Sequence, residues 1–106
     1  MKFPKDADGQ VLKMLYKEGL NFKELQNVDF FVSVSDKRSG ESVLKSLRDE
    51  GFSCELEQDD ETGEWTCYCF IKMLLNYDEI IDIQKRLDEL SKPYDGYSDG
   101  WAVMVE

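Results

Sequence analysis

Histidine is absent from this chain of 106 residues, and proline and cysteine are scarce, with two and three copies. Without histidine, the chain lacks the side chain that most often serves as a general base near neutral pH. It also lacks the usual nitrogen ligand of zinc, and its cysteines do not have the spacing of a zinc site or a Cys-x-x-Cys redox motif. We therefore expect a protein that is not an enzyme and that uses no metal or other cofactor.

Long apolar runs are also missing. No stretch approaches the roughly 20 apolar residues that a membrane-spanning helix needs, and residues 1–6 turn polar and charged at once, unlike a signal peptide. The odd number of cysteines, Cys54, Cys67 and Cys69, is typical of buried free thiols in a reducing compartment. These features predict a cytoplasmic protein without membrane contact.

Basic residues are outnumbered, because 13 Lys and Arg against 23 Asp and Glu leave a net charge of −10. Such a surface repels the phosphates of nucleic acids and anionic lipids, so we do not expect direct nucleic-acid binding. Residues 49–64 hold eight acidic side chains and no basic one. Two interpretations of this stretch remain open, a solvated face that keeps the protein soluble and a docking site for a basic partner.

The apolar residues that are present, 42% of the chain, are arranged with clear periodicities. They predict helices over 6–19, 36–51 and 76–92 and strands over 28–34, 52–59, 64–74 and 97–105. After the first helix the order is β-α-β-β-α-β, which predicts an α+β, ferredoxin-like plait. In this fold a four-stranded antiparallel sheet carries both helices on one face. We expect residues 1–106 to form a single domain, with the extra N-terminal helix on an edge or on the open sheet face.

The second and third strands are predicted to form a hairpin with a turn at 60–63. This register pairs Cys54 with Cys69 and Leu56 with Cys67, which places all three thiols in the core. Cys54 and Cys69 are then close enough to oxidise in vitro.

The open sheet face is the region where a partner could bind. Alternation within the strands places eight side chains there: Phe31, Glu55, Glu57, Thr66, Tyr68, Phe70, Ala102 and Met104. Aromatic residues on the two central strands resemble the base-stacking surface of RNA-recognition motifs, but Glu55 and Glu57 would repel a nucleic-acid backbone. Coverage by the N-terminal helix, pairing of two chains as a homodimer, and docking of a protein partner are the other interpretations. The candidate partner-binding residues are Glu55, Glu57, Asp59, Asp60, Glu61, Glu64, Phe31, Tyr68 and Phe70.

Several segments carry a resemblance to a known family. Residues 76–84 and 94–101, and more thinly 6–12 and 28–31, resemble the regulator of ribonuclease E activity B family, and Asp99-Gly100-Trp101 is the best single element. The resemblance implies a ferredoxin-like fold. It further implies an acidic ribonuclease E inhibitor that binds the non-catalytic, arginine-rich scaffold of that enzyme and regulates RNA degradation.

The family motif also has a purely structural interpretation. We expect Trp101 to lie on the core face with Val103 and Val105, and Gly100 to permit the turn into the last strand. An alternative function also remains open, that of a small acidic immunity or antitoxin-like protein that neutralises a basic nuclease or toxin.

Overall fold

The computed structural model of the protein describes residues 2–104. Its elements are, in chain order, α1 (Ala7–Lys17), β1 (Gln26–Val34), α2 (Lys37–Asp49), β2 (Ser53–Gln58), β3 (Trp65–Met73), α3 (Tyr77–Ser91), a 3-10 turn (Lys92–Tyr94) and β4 (Tyr97–Met104). The strands form one antiparallel sheet in the order β2-β3-β1-β4. This arrangement confirms the predicted α+β fold with an extra N-terminal helix.

Each helix begins at a residue whose side chain caps it. The Asp6 carboxylate accepts a hydrogen bond from the Gly9 amide at 2.8 Å, and Asp36 does the same for the amide of Ser39 at 2.8 Å. The Asn76 side chain starts α3 in the same way. These caps satisfy backbone donors that have no partner within the helix, which is why the predicted helix starts agree with the structure.

The core lies between the sheet and the helices. Alternate residues of β1, including Val28, Phe30 and Val32, are fully buried against Leu47 of α2 and Leu87 of α3. Among residues 2–104, no helix has the length and hydropathy required to cross a bilayer.

A glycine brings α2 close to β2. A Cβ atom on Gly40 would approach Leu56 Cδ1 to 2.6 Å, so a larger residue at this position would require the Leu56 side chain to shift.

The β2–β3 hairpin has the predicted register, with Cys54 opposite Cys69 and Leu56 opposite Cys67. All three cysteines are buried. The strands close at a hydrogen bond of 2.8 Å from the Asp59 amide to the Glu64 carbonyl oxygen.

A β-bulge interrupts the pairing of β1 with β4. Phe30 lies opposite Trp101, but Val32 lies opposite Ser98, so residues 99–100 together face one residue of β1. Gly100 has a φ of 107°, in the region that favours glycine. The prediction that Gly100 serves the turn before the strand is therefore wrong, because it lies in a bulge within the strand. Val105, predicted on the core face, lies outside the described residues.

The N-terminal helix occupies the helix side of the sheet, next to α3. Leu12 is part of the core, the Tyr77 hydroxyl of α3 donates to the Asp6 carboxylate, and Trp101 Nε1 donates to Asp8 Oδ1 at 2.7 Å. Of the two positions left open by the sequence, the structure therefore selects the edge, and α1 does not cover the open face.

Candidate protein-binding surface

The centre of the open face is aromatic. Phe31 of β1 lies directly opposite Tyr68 of β3, with ring centroids 5.5 Å apart and ring planes at 82°. This edge-to-face arrangement is a favourable geometry for an aromatic pair. Phe70, two residues further along β3, is 41% exposed. The three aromatic residues predicted for this face therefore form an aromatic patch on the two central strands.

The other predicted members of the open face lie around this patch. Ala102 and Met104 of β4 pair with residues of β1 on one side. On the other side Glu55 lies opposite Tyr68, and Glu57 lies opposite Thr66. Carboxylates of β2 therefore border the aromatic centre along the edge of the sheet.

Two residues of the open face were not among the predicted site residues. Asp29 lies in β1 between Phe70 and Ala102, and its burial raises the pKa of the carboxyl group above the ordinary value. Tyr97 pairs with Ser33 and is 53% exposed. The bulge causes this placement, since strict alternation from the core-facing Trp101 would turn Tyr97 inward. An Asp-Gly pair inside a strand pattern is the signal that could have indicated it.

An open hollow of about 330 Å³ lies beside Phe70 on this face. Its lining includes Asn27, Asp29, Ser53 and Lys72. The hollow therefore combines an aromatic wall and a half-buried carboxylate with the cationic side chain of Lys72. The aromatic ring and the carboxylate are the parts of this lining that suit a side chain with a positively charged tip and a flat or apolar body.

The acidic hairpin is the second part of the surface, and we use this name for residues 55–64. Its six carboxylates are all exposed: Glu55, Glu57, Asp59, Asp60, Glu61 and Glu64. Within the described part of the chain, the ion pairs join Arg86 to Glu50 and to Glu89. The hairpin carboxylates thus have no cationic partner among residues 2–104.

Asp59 differs from the other carboxylates of the acidic hairpin because it organises the turn. Its Oδ1 accepts hydrogen bonds from the amides of Thr62 at 2.9 Å and Glu61 at 2.8 Å. These bonds, chiefly the one from Thr62, hold the pKa of Asp59 below its ordinary value. The carboxylates of Asp60 and Glu61 are exposed to solvent and accept no hydrogen bond within the turn, so they are free to contact a partner.

The family motif is divided between structural and surface roles. Trp101 packs against the core and bonds to α1, and Gly100 supplies the bulge. Asp99 is exposed at the bulge, next to the open face. Between residues 2 and 104, no three metal-ligating side chains converge on one point. What the surface offers chemically is adjacent negative charge and aromatic area, an arrangement that binds cationic groups.

Comparison with known proteins gives one positive finding. No match to this chain was found among curated proteins. The family described as Regulator of ribonuclease activity B matches residues 5–103, a range that includes the whole acidic hairpin and the predicted residues of the open face except Met104. The family description gives its members a role in regulating ribonuclease activity. Because the match covers nearly the whole chain, this protein belongs to the Regulator of ribonuclease activity B family, as the sequence resemblance implied.

Proposed function

We propose that this protein is a non-catalytic, cytoplasmic inhibitor of ribonuclease E. It binds the non-catalytic, arginine-rich scaffold of that enzyme stoichiometrically and so modulates mRNA decay. Family membership supports the regulation of ribonuclease activity. The choice of ribonuclease E rests on the sequence resemblance, and the choice of contact surface rests on the geometry of the sheet.

The observation that carries the proposal is that the acidic hairpin continues directly into the aromatic centre of the open face. Glu55, at the start of the acidic hairpin, lies opposite Tyr68, which packs against Phe31. Arginine is the side chain that best fits such a surface. Its guanidinium group forms paired hydrogen bonds with carboxylates, and its flat face stacks on aromatic rings.

The hollow beside Phe70 offers one specific contact. Burial raises the pKa of Asp29, and although Lys72 lines the same hollow, no ion pair within residues 2–104 gives this carboxylate a compensating positive charge. A guanidinium group placed in the hollow would supply that charge while its plane lies against the Phe70 ring. This contact would add specificity to an attraction that is otherwise electrostatic.

The net charge of −10 favours the same type of partner. A strongly negative protein accelerates its encounter with a basic segment, and salt weakens this effect because mobile ions screen exposed charges. For the same reason an RNA oligomer should not bind, even at low salt, where phosphate contacts are strongest.

A second copy of the chain is the competing occupant of the open face. A homodimer would bury Phe70, Tyr97 and Met104, which are all exposed in the single chain. Sedimentation of the purified protein distinguishes a homodimer from a monomer. A monomer leaves the open face free for the scaffold, whereas a stable dimer would leave only the acidic hairpin to bind it.

The experiment that tests the proposal is a calorimetric titration of a ribonuclease E scaffold fragment with two variants. Phe70→Ser removes an aromatic side chain from the open face, and Leu25→Ser removes a comparably exposed apolar side chain in the loop before β1. We expect Phe70→Ser to weaken binding about tenfold, as for a contact worth about 1.4 kcal/mol. Leu25→Ser should bind like the wild type.

Equal binding by wild type and Phe70→Ser would show that the open face does not contribute to binding of the scaffold fragment. Failure of the scaffold fragment to bind at all would remove ribonuclease E as the partner. Salt-sensitive capture of a different basic protein, such as a nuclease toxin, would then support the immunity-like alternative.

A further inference from the structure

Two of the three cysteines meet across the β2–β3 hairpin. Cys54 and Cys69 are direct cross-strand partners, their Sγ atoms are 2.8 Å apart, and their exposures are 4% and 0%. Opposite residues in an antiparallel pair have Cα atoms about 4.5–5.5 Å apart. A disulfide requires about 4.4–6.8 Å, so the backbone already has the spacing of a disulfide.

The surroundings distinguish the two thiols chemically. The hydrogen bond with Cys69 lowers the pKa of Cys54, and the positive charge of Arg48 adds to this effect although burial opposes it. Arg48 is held nearby, since its Nη2 atom donates to the Cys54 carbonyl oxygen at 2.8 Å. The same hydrogen bond and burial raise the pKa of Cys69. The nearby Arg48 and the hydrogen bond with Cys69 therefore favour Cys54 as the nucleophile.

Cys67 provides an internal control. It lies on the same strand and the same face as Cys69, but its cross-strand partner is Leu56. Its thiol donates to the carbonyl oxygen of Gly40 at 3.6 Å, and burial raises its pKa to about 11. Cys67 therefore shares the burial of the pair but lacks a sulfur partner directly across the hairpin.

We propose that Cys54 and Cys69 are a redox-active pair that a hydroperoxide oxidises to an intramolecular disulfide. The Cys54 thiolate attacks hydrogen peroxide, which breaks the O–O bond and gives the Cys54 sulfenic acid and hydroxide. The Cys69 sulfur then attacks the Cys54 sulfur, the S–O bond breaks, and water leaves. The hydroxide takes up the proton that Cys54 lost, so two thiols and one peroxide give one disulfide and two waters.

Access to the pair comes from the edge of the sheet. β2 is an edge strand with a single neighbour, β3, and edge elements open locally at lower cost than the whole fold. Hydrogen peroxide is small enough to reach Cys54 through such an opening.

The disulfide would act on the acidic hairpin because it joins the two strands that carry it. Its cysteines are separated by 15 positions in the chain. Closing such a loop restricts the unfolded state and stabilises the fold. Oxidation thus fixes the acidic hairpin on its sheet, and this inference does not depend on which ribonuclease the protein binds.

The test uses the full chain treated with hydrogen peroxide under native conditions, then denatured and alkylated with iodoacetamide. We expect one carbamidomethyl group, at Cys67, on a chain that is otherwise two hydrogen atoms lighter than the fully reduced chain. The Tm should rise by more than about 5 °C and return to its initial value with dithiothreitol.

The cysteine variants sharpen this test. Cys67→Ser should still form the disulfide, whereas Cys54→Ser and Cys69→Ser should not. Three alkylated thiols in the treated wild type, a disulfide that includes Cys67, or oxidation that occurs only in urea would overturn the proposal. The result for the wild type can be interpreted even if one of the cysteine variants does not fold.

Discussion

Trp101 connects three parts of the molecule. Its ring packs against the core, its backbone follows the bulge of β4, and its Nε1 atom donates to Asp8 of α1. A tryptophan in this position contributes both apolar burial and a directed hydrogen bond. Trp101 therefore fixes the N-terminal helix on the helix side of the sheet, which keeps the open face free.

Replacement of Trp101 separates these two contributions. Trp101→Ala should lower the free energy of unfolding by about 3 kcal/mol, because it leaves a cavity next to the core. Trp101→Phe keeps most of the packing and loses the hydrogen bond, so it should cost about 1 kcal/mol. Urea unfolding of both variants measures the difference. A loss below about 1 kcal/mol for Trp101→Ala would contradict the placement of this ring.

Asp6, which caps α1, and Tyr77 of α3 form a second side-chain hydrogen bond that holds the N-terminal helix. The hydrogen bond from Tyr77 is the main cause that holds the pKa of Asp6 below its ordinary value. The bond to Asp6 in turn raises the pKa of Tyr77 from 10.0 to about 12. The bond requires an ionised carboxylate and a protonated phenol. Its contribution to stability is therefore lost both at acidic pH and at alkaline pH.

We expect the stability advantage of wild type over Tyr77→Phe to be greatest between about pH 4 and pH 10. It should fall above pH 10, as Tyr77 ionises through its pKa of about 12. It should also fall below pH 4, as Asp6 becomes protonated. Urea unfolding across this pH range measures the advantage. Tyr94→Phe, which removes an exposed hydroxyl on the 3-10 turn, is the control, and a pH-independent advantage for wild type would refute the bond.

Within the acidic hairpin, some carboxylates stabilise the turn and others are free in solvent. Asp59 accepts two amide hydrogen bonds that shape the turn, whereas Asp60 extends into solvent. We expect Asp59→Ala to lower the urea midpoint of unfolding and Asp60→Ala to leave it nearly unchanged. The loss from Asp59→Ala should be present above pH 4 and disappear as the pH falls, because its depressed pKa ties the contribution to the ionised form. Equal midpoints for the two variants at pH 7 would contradict this assignment.

The elements that the sequence predicted correctly depend on local signals. Cap residues such as Asp36 and Asn76 mark helix starts, and the alternation along β1 sets its buried face. The turn at 60–63 sets the register of β2 against β3, and with it the position of the thiols. Each of these features is specified within about ten neighbouring residues.

The features that the sequence did not predict depend on distant contacts or on one backbone angle. The bonds from α1 to Tyr77 and Trp101 span 71 and 93 positions, and no local pattern specifies which groups meet. The bulge at Gly100 reverses the faces of the residues before it, so alternation alone misplaces Tyr97. Asp29 was missed because its importance arises from Phe70 on the neighbouring strand.

At the scale of the whole molecule, the negative charge is unevenly distributed. Residues 2–23 contain five lysines and three carboxylates, a local balance of 5 − 3 = +2, although the chain as a whole carries −10. The acidic hairpin alone carries six carboxylates and no basic residue. Because of this uneven charge, the protein should approach a basic partner with the acidic hairpin facing it.

The acidic hairpin is the proposed contact for an arginine-rich segment of ribonuclease E. Its most direct test compares two variants that lose the same four negative charges. One neutralises the acidic hairpin by Glu57→Gln, Asp60→Asn, Glu61→Gln and Glu64→Gln, and leaves Asp59 to hold the turn. The other neutralises exposed carboxylates elsewhere by Glu18→Gln, Glu24→Gln, Glu41→Gln and Asp82→Asn.

The measurement is the Kd of each protein for the ribonuclease E scaffold fragment at about 50 and 500 mM salt. Our account predicts that the hairpin variant binds at least about tenfold more weakly at low salt, that the control variant stays much closer to the wild type, and that high salt reduces the difference. Equal affinities for the two variants at low salt would contradict it, because binding would then follow net charge and not the acidic hairpin.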